Sequence, residues 1–353
     1  MFYISIDNDF HTEIAINYIN TFKLDKKNVT FISNKSIRNS AIYNIGFPII
    51  EIPGHPFSAG CGFKKLLTYI RTIKQHSLLR KIFKFGPDDI LFVLTEYQIN
   101  NAYLAKMIKK SGGRVYLADE GIGFYLNNHI WHKKNIRIKD TVFLAAYNLI
   151  FLLFCLPIEA KKGQEGKMFV SIDDNLIDKL FSSIKIKIER SIKTIQYRRI
   201  LKINKNGKKS NVKSVVYLAS NFECFGLKKE EKDIAEKAIR YLINVYDKVY
   251  IKIHPQDASG KTELYFFYNS FKKRNVHIIS NKLTSNQAIT KIKPSLIVGT
   301  FSSSLVDAFI AGHNVIFLYQ LLPKIKELEL CSLILRDFNY IKMSSINDIK
   351  NYI

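Results

Sequence analysis

Val249-Tyr250-Ile251-Lys252-Ile253-His254-Pro255 and, farther along, Pro294-Ser295-Leu296-Ile297-Val298-Gly299-Thr300-Phe301-Ser302-Ser303-Ser304 running into Leu305-Val306-Asp307-Ala308-Phe309-Ile310-Ala311-Gly312 decide the fold. Each opens as a short apolar run, as a strand buried on both faces requires. The second passes straight into a helical pattern that Gly312 stops. Strand, turn and helix in that order are the unit of a parallel α/β sheet. Ligands of such sheets lie beyond the carboxyl ends of the strands, so His254, Pro255, Gly299, Ser302, Ser303 and Ser304 share one edge. The opening N–H groups of a helix and the positive end of its dipole favour an anion, and hydroxyls add donors. A phosphate is the natural guest. Each piece alone has a plain structural reading, the serine as an N-cap and His-Pro as a strand-ending turn.

Outward from this segment the same alternation recurs. Val215 to Ser220 reads as a strand, a helix with one apolar face covers residues 229–246, and strands follow at 276–279 and 315–318. The front of the chain repeats the pattern with strands at 1–6, 29–32, 89–94 and 114–118 and helices near 9–22, 64–76 and 101–110. The expected fold class is α/β, with two Rossmann-like domains facing each other across a cleft. Residues 1–160 form the first, 214–353 the second, and 161–213 a basic connection.

The strand at 114–118 ends in Asp119-Glu120-Gly121. Two carboxylates and a glycine there place an acid or base at the functional edge of the first domain, or else form a polar turn. Residues 53–62 and 122–132 are loops in which acceptor choice is expected to reside; His129, Trp131 and His132 are candidates there, while His55 reads as an ordinary loop residue.

Charge is uneven. Residues 161–213 carry 15 Lys/Arg against 5 Asp/Glu, whereas 1–160 carry 20 against 12 and 214–353 carry 19 against 13, so the middle holds the densest surplus of a chain with net charge +24. Such a surplus implies an anionic partner or a solvated basic surface. Nucleic acid is not expected, because Tyr197 is the only aromatic between residues 185 and 213 and no nucleic-acid motif is present. Residues 141–157 hold no charge but fall short of the roughly 20 apolar residues of a spanning helix. They read as a buried or interdomain helix, or as an in-plane membrane contact. With 185–213 beside them they would hold the protein on an anionic membrane, at about 1 kcal/mol per basic residue. Cys61, Cys155, Cys224 and Cys331 fit neither a disulfide framework nor a zinc spacing. No signal peptide opens the sequence, so the expected place is the cytoplasm, at the inner face of the membrane.

Taken together, Asp119-Glu120-Gly121, then His254-Pro255, then the serines at 302 to 304 resemble the three-motif signature of bacterial sialyltransferases. The likeness runs from the strand at residue 89 to that at 318 and is closest to the lipooligosaccharide sialyltransferases and capsule polysialyltransferases. It implies a GT-B architecture, a CMP-sialic acid donor, inversion at the anomeric carbon, no cofactor and no metal in the chemistry. Carried over, it makes Asp119 or Glu120 the base that deprotonates the acceptor hydroxyl, with Asp119 favoured as the first position of its motif. It makes His254 the group that protonates or hydrogen-bonds the leaving CMP phosphate, and two of the three serines the phosphate's ligands. The acceptor would be galactose or sialic acid of a surface glycan. Two other readings stand beside it: a transferase using CMP-Kdo or another nucleotide sugar, and a non-enzymatic protein that binds polyanions or membranes.

Overall fold

Ser214–Leu218 (β10) is buried at every position, which is what an unbroken Ser-Val-Val-Tyr-Leu run achieves only in the middle of a sheet. The computed structural model describes residues 1–34, 43, 46–52, 76–96, 98–119, 138–153, 158–162, 168–182, 192–196, 213–220, 226–255, 257, 260, 262–324, 326–336 and 340–352. Its contacts divide the chain into two units, Met1–Arg199 and Ile200–Ile353.

In the second unit β10 pairs in parallel with β11 (Lys248–Lys252) on one side and β13 (Leu296–Gly299) on the other. β12 (Val276–Ile278) and β14 (Val315–Phe317) complete the order β12-β11-β10-β13-β14. The chain leaves β10 toward one edge, returns, and continues to the other, so the topological switch point lies between β10 and β13. The helix at Lys228–Val245 buries Ile234, Ala235, Ala238, Ile239 and Leu242, the i, i+4, i+8 stripe its sequence dictates, and keeps its lysines outside.

The first unit repeats the plan on a larger scale. Its sheet runs β3-β2-β1-β4-β5-β8-β9, all parallel, with β1 (Phe2–Ile6), β2 (Val29–Asn34), β3 (Ile49–Ile52), β4 (Ile90–Val93), β5 (Arg114–Ala118), β8 (Lys179–Ser182) and β9 (Thr194–Gln196). Phe2, Ile4, Ile6, Phe31, Phe92 and Phe181 pack with Ile14, Tyr18 and Ile19 of α1 (Asp9–Thr21) into its core. An antiparallel hairpin, β6 (Ile158–Lys162) with β7 (Met168–Ile172), forms a sheet of its own and is tied to the segment after β4 where Ile172 N donates to Glu96 O at 3.1 Å.

Two segments differ from their sequence reading. Residues 179–196, which charge placed in a connection, add β8 and β9 to the first sheet. Lysine there does not prevent pairing: Lys179 Nζ lies 5.1 Å from the centre of the Tyr116 ring, while Leu180 and Phe181 go inside. The helix that carries the uncharged stretch begins earlier than expected, spanning Ile138–Leu153 with Lys139 and Asp140 in its first turn. Phe151 is buried, but Val142, Leu149, Leu152 and Leu153 are exposed, the last two by 73% and 70%, so this helix shows solvent an apolar face. No helix among the described residues is long and apolar enough to cross a membrane. The expectations for residues 53–62, most of 64–76, 120–132, 154–157, 183–191 and 197–212 lie outside the described residues.

Candidate active site

The carboxyl edge of the second sheet holds most of the residues the sequence singled out. His254 and Pro255 follow β11, Gly299 closes β13, and Ser302 to Ser304 start α7 (Ser303–Ile310). Lys252 and Gly299 stand level with Leu218 in the registers on either side of β10. Neighbouring strands lie about 4.8 Å apart, so the strands delivering His254 and the serines are separated by about 10 Å. That gap admits a phosphate.

Gly299 sits where the backbones crowd. A Cβ there would collide with Leu218 O and come within 2.9 Å of Leu305 Cδ1. Ahead of it the Phe301 N–H donates to Ser220 Oγ at 3.2 Å, tying the serine loop to the end of β10. Ser302 is the N-cap of α7, its hydroxyl accepting from Leu305 N at 3.3 Å. Ser303 and Ser304 therefore occupy the first two helical positions, whose N–H groups have no partner within the helix. Beside this loop, Tyr319 N donates to Thr300 O at 3.1 Å, and Tyr319 walls a cavity of about 490 Å³ with Gln320, Leu322, Leu328, Glu329 and Ser332.

His254 is half-buried. Burial lowers its pKa below the ordinary histidine value and the positive charge of Lys252 lowers it further, while Asp257 pulls the other way. Asp257 is itself buried, and its N–H donates to His254 O at 2.9 Å, which fixes the turn after the strand.

In the first unit Asp119 ends β5 fully buried, at 0% exposure, with its N–H donating to Phe181 O at 3.1 Å. Glu120 and Gly121 lie outside the described residues. Sequence reading missed what surrounds the ends of β1 and β4. Ser5 Oγ donates to Asn101 Oδ1 at 2.5 Å, Asn101 Nδ2 donates to Thr95 O at 2.9 Å, and Thr95 Oγ1 lies 3.3 Å from His11 Nε2. The Asp7 N–H donates to His11 Nδ1 at 3.1 Å, so in this geometry Nε2 carries the ring proton toward Thr95. These side chains are buried. The signal for them was slight, since Asn8 and His11 read only as the start of a helix. Among the described residues no group of three or more His, Cys, Asp or Glu is placed to hold a metal ion.

Comparison with known proteins follows the same lines. Residues 13–316 match the model of a family described as Alpha-2,8-polysialyltransferase (POLYST). Among curated protein sequences, none matches the chain. Among solved structures, UDP-GlcNAc 2-epimerase from Neisseria meningitidis, bound to UDP-GlcNAc, is 10% identical at a TM-score of 0.53, covering 100% of this chain and 90% of its own. S. aureus MnaA, solved with UDP, is 11% identical at 0.53, covering 93% and 80%. The Methanocaldococcus jannaschii UDP-GlcNAc 2-epimerase, in complex with UDP-GlcNAc and UDP, is 13% identical at 0.51, covering 90% and 84%. At such identities the likeness is one of fold, two parallel α/β sheets of GT-B-like type.

Proposed function

The chain belongs to the alpha-2,8-polysialyltransferase family, and from that premise we propose how its residues divide the work. The family's reaction moves sialic acid from CMP-sialic acid to the sialic acid of a capsular polysaccharide. The enzyme is thus a glycosyltransferase whose donor and acceptor are both anionic.

The phosphate of the donor sits at the opening of α7. The observation that carries this reading is the placement of the three serines at the start of α7, with Ser302 as its N-cap. Ser303 and Ser304, the first two residues of the helix, meet the phosphate through hydroxyls and backbone N–H groups. The cytidine lodges in the neighbouring 490 Å³ cavity, which is of ordinary size for a small-molecule site. As the glycosidic C–O bond breaks, its electron pair stays on the phosphate oxygen. His254 donates a proton or hydrogen bond to that oxygen, the charge-developing atom where such help is worth most. Without a second phosphate to neutralise, the leaving group makes little demand for a divalent ion.

On the other side of the reaction, the acceptor hydroxyl gives its proton to a carboxylate of the Asp119-Glu120 pair while its oxygen attacks the anomeric carbon, with inversion. Asp119 is the first residue of its motif, but its complete burial favours Glu120 as the group that reaches the acceptor. Met1–Arg199 then forms the acceptor side and Ile200–Ile353 the donor side. The exposed leucines of the helix at Ile138–Leu153 and the basic residues of 185–213 hold the enzyme at the anionic inner face of the membrane.

Release of CMP from CMP-sialic acid, measured with and without oligosialic acid, tests the scheme. Release should rise with the acceptor in wild type and fall in Glu120→Gln more than in Asp119→Asn. Equal, undiminished release in both variants would remove this motif from the chemistry.

A further inference from the structure

Two residues before His254, β11 carries a lysine that the scheme above leaves unused. Lys252 is 5% exposed. That is an uncommon place for a lysine, since a buried ammonium persists only where something offsets its lost hydration. Its hydrogen-bond partner is the Ser280 carbonyl at 3.5 Å, the far limit of such a contact. Among the described residues no carboxylate forms an ion pair with it. Burial pushes its pKa down, and its charge in turn bears on His254. Lys252 is the last residue of β11 and His254 follows two residues later, close enough for the lysine's charge to bear on its ring, so a lysine and a histidine stand together at the ligand edge of a parallel sheet. With a carbonyl at 3.5 Å as its hydrogen-bond partner, the ammonium lies in a place poor in water, and an anion entering beside it offsets the cost of its burial.

We propose that Lys252 is a further donor-binding residue, its ammonium being the buried counter-charge for an anionic group of the CMP-sugar held at the carboxyl edge of this sheet beside His254. The proposal rests on the reading that the donor lies at this edge. The donor has two oxyanions, the phosphate and the sugar carboxylate. Lys252 Nζ approaches Ser280, which follows β12, whereas the serines follow β13 on the opposite side of β10 and β11. This placement favours the carboxylate, the anion the serine helix does not hold.

The test is titration calorimetry of wild type, Lys252→Met and Lys252→Arg with cytidine, CMP and a CMP-sialic acid analogue made unreactive by fluorine at C3 of the sugar, with thermal unfolding of each protein. Lys252→Met should bind the analogue at least tenfold more weakly, leave cytidine affinity unchanged, and melt at or above the wild-type temperature, because an apolar side chain of similar length replaces an uncompensated charge. Lys252→Arg should recover part of the affinity. Weakening of the analogue alone assigns the carboxylate; weakening of CMP as well assigns the phosphate. Unchanged affinity for the analogue overturns the proposal, as does a uniform loss for all three ligands with a lower melting temperature, which marks a purely structural lysine. Should Lys252→Met not fold, Lys252→Gln is read by the same criteria. Failure of the underlying placement shows separately, as wild-type CMP affinity in both His254→Ala and the double variant Ser303→Ala/Ser304→Ala.

Discussion

The two sheets end alike and use their ends differently. At the carboxyl edge of the first, Ser5, Asn101, Thr95 and His11 are linked side chain to side chain and to backbone, one group answering the next in a buried row. At the edge of the second, a helix opens on serines, a histidine is half-buried, and a lysine lies inside with a distant carbonyl for company. The row at the ends of β1 and β4 is satisfied within itself, apart from the carboxylates that follow β5, whereas at the second edge donors lie where the scheme puts the phosphate. The row is therefore expected to serve stability, and the polar groups of the second edge turnover.

The sharpest way to break that contrast is His254→Ala. CMP release should fall by about 10²- to 10⁴-fold, the usual reach of a general acid, with the urea midpoint nearly unmoved. A fall in both together would make His254 a structural residue like those of the first edge. Next comes the double variant Ser303→Ala/Ser304→Ala, expected to weaken CMP binding by about 10- to 100-fold on loss of two hydrogen bonds to a charged group. If Ser302→Ala alone did the same at unchanged stability, the cap and the ligands would have to be reassigned.

On the first edge, Asn101→Ala should cost about 2–3 kcal/mol of stability, by leaving Ser5 Oγ and Thr95 O without their partner. Turnover per folded molecule should hold. A stable Asn101→Ala protein with lost transfer would show that the buried row, too, takes part in catalysis.

The smallest effect is in the pH dependence of folding. His254 has its pKa lowered by burial and by Lys252, so the unfolded chain takes up a proton that the folded chain resists. Stability is therefore full above the ordinary histidine value of 6.5 and declines as pH falls below it. Urea midpoints between pH 8 and 5 should slope less in His254→Gln than in wild type. Parallel slopes would place the titration elsewhere.

The parallel layers were legible because their signals are local. Val215 to Leu218 is apolar without alternation, and the helix at Lys228–Val245 shows its stripe within a single stretch of chain. So was the strand-to-helix turn at Gly299 to Ser304, whose chemistry is that of any helix start. β8 escaped because Lys179 and the surrounding charge hide a strand only four residues long. The row from Ser5 to His11 escaped for another reason: Asn101 and Thr95 lie about 90 residues from their partners, and each taken alone is an ordinary helix or loop residue. Lys252 draws no reading of its own from the sequence, standing inside a run that reads as a buried strand. Only burial distinguishes it.

The placement of β10 at the centre of its sheet also sets a timetable. Its β11 partner is made about 30 residues later, its β13 partner only about 80 residues later. At roughly 5–20 residues per second of synthesis, one edge of this apolar strand stays open for about 4–16 s. An open edge of that kind is a template for pairing with another chain. During that interval a nascent polypeptide truncated before Leu296 is the form most exposed to aggregation and most dependent on chaperones, and the arrival of Gly299 against Leu218 both ends the hazard and completes the edge at which the phosphate is proposed to bind.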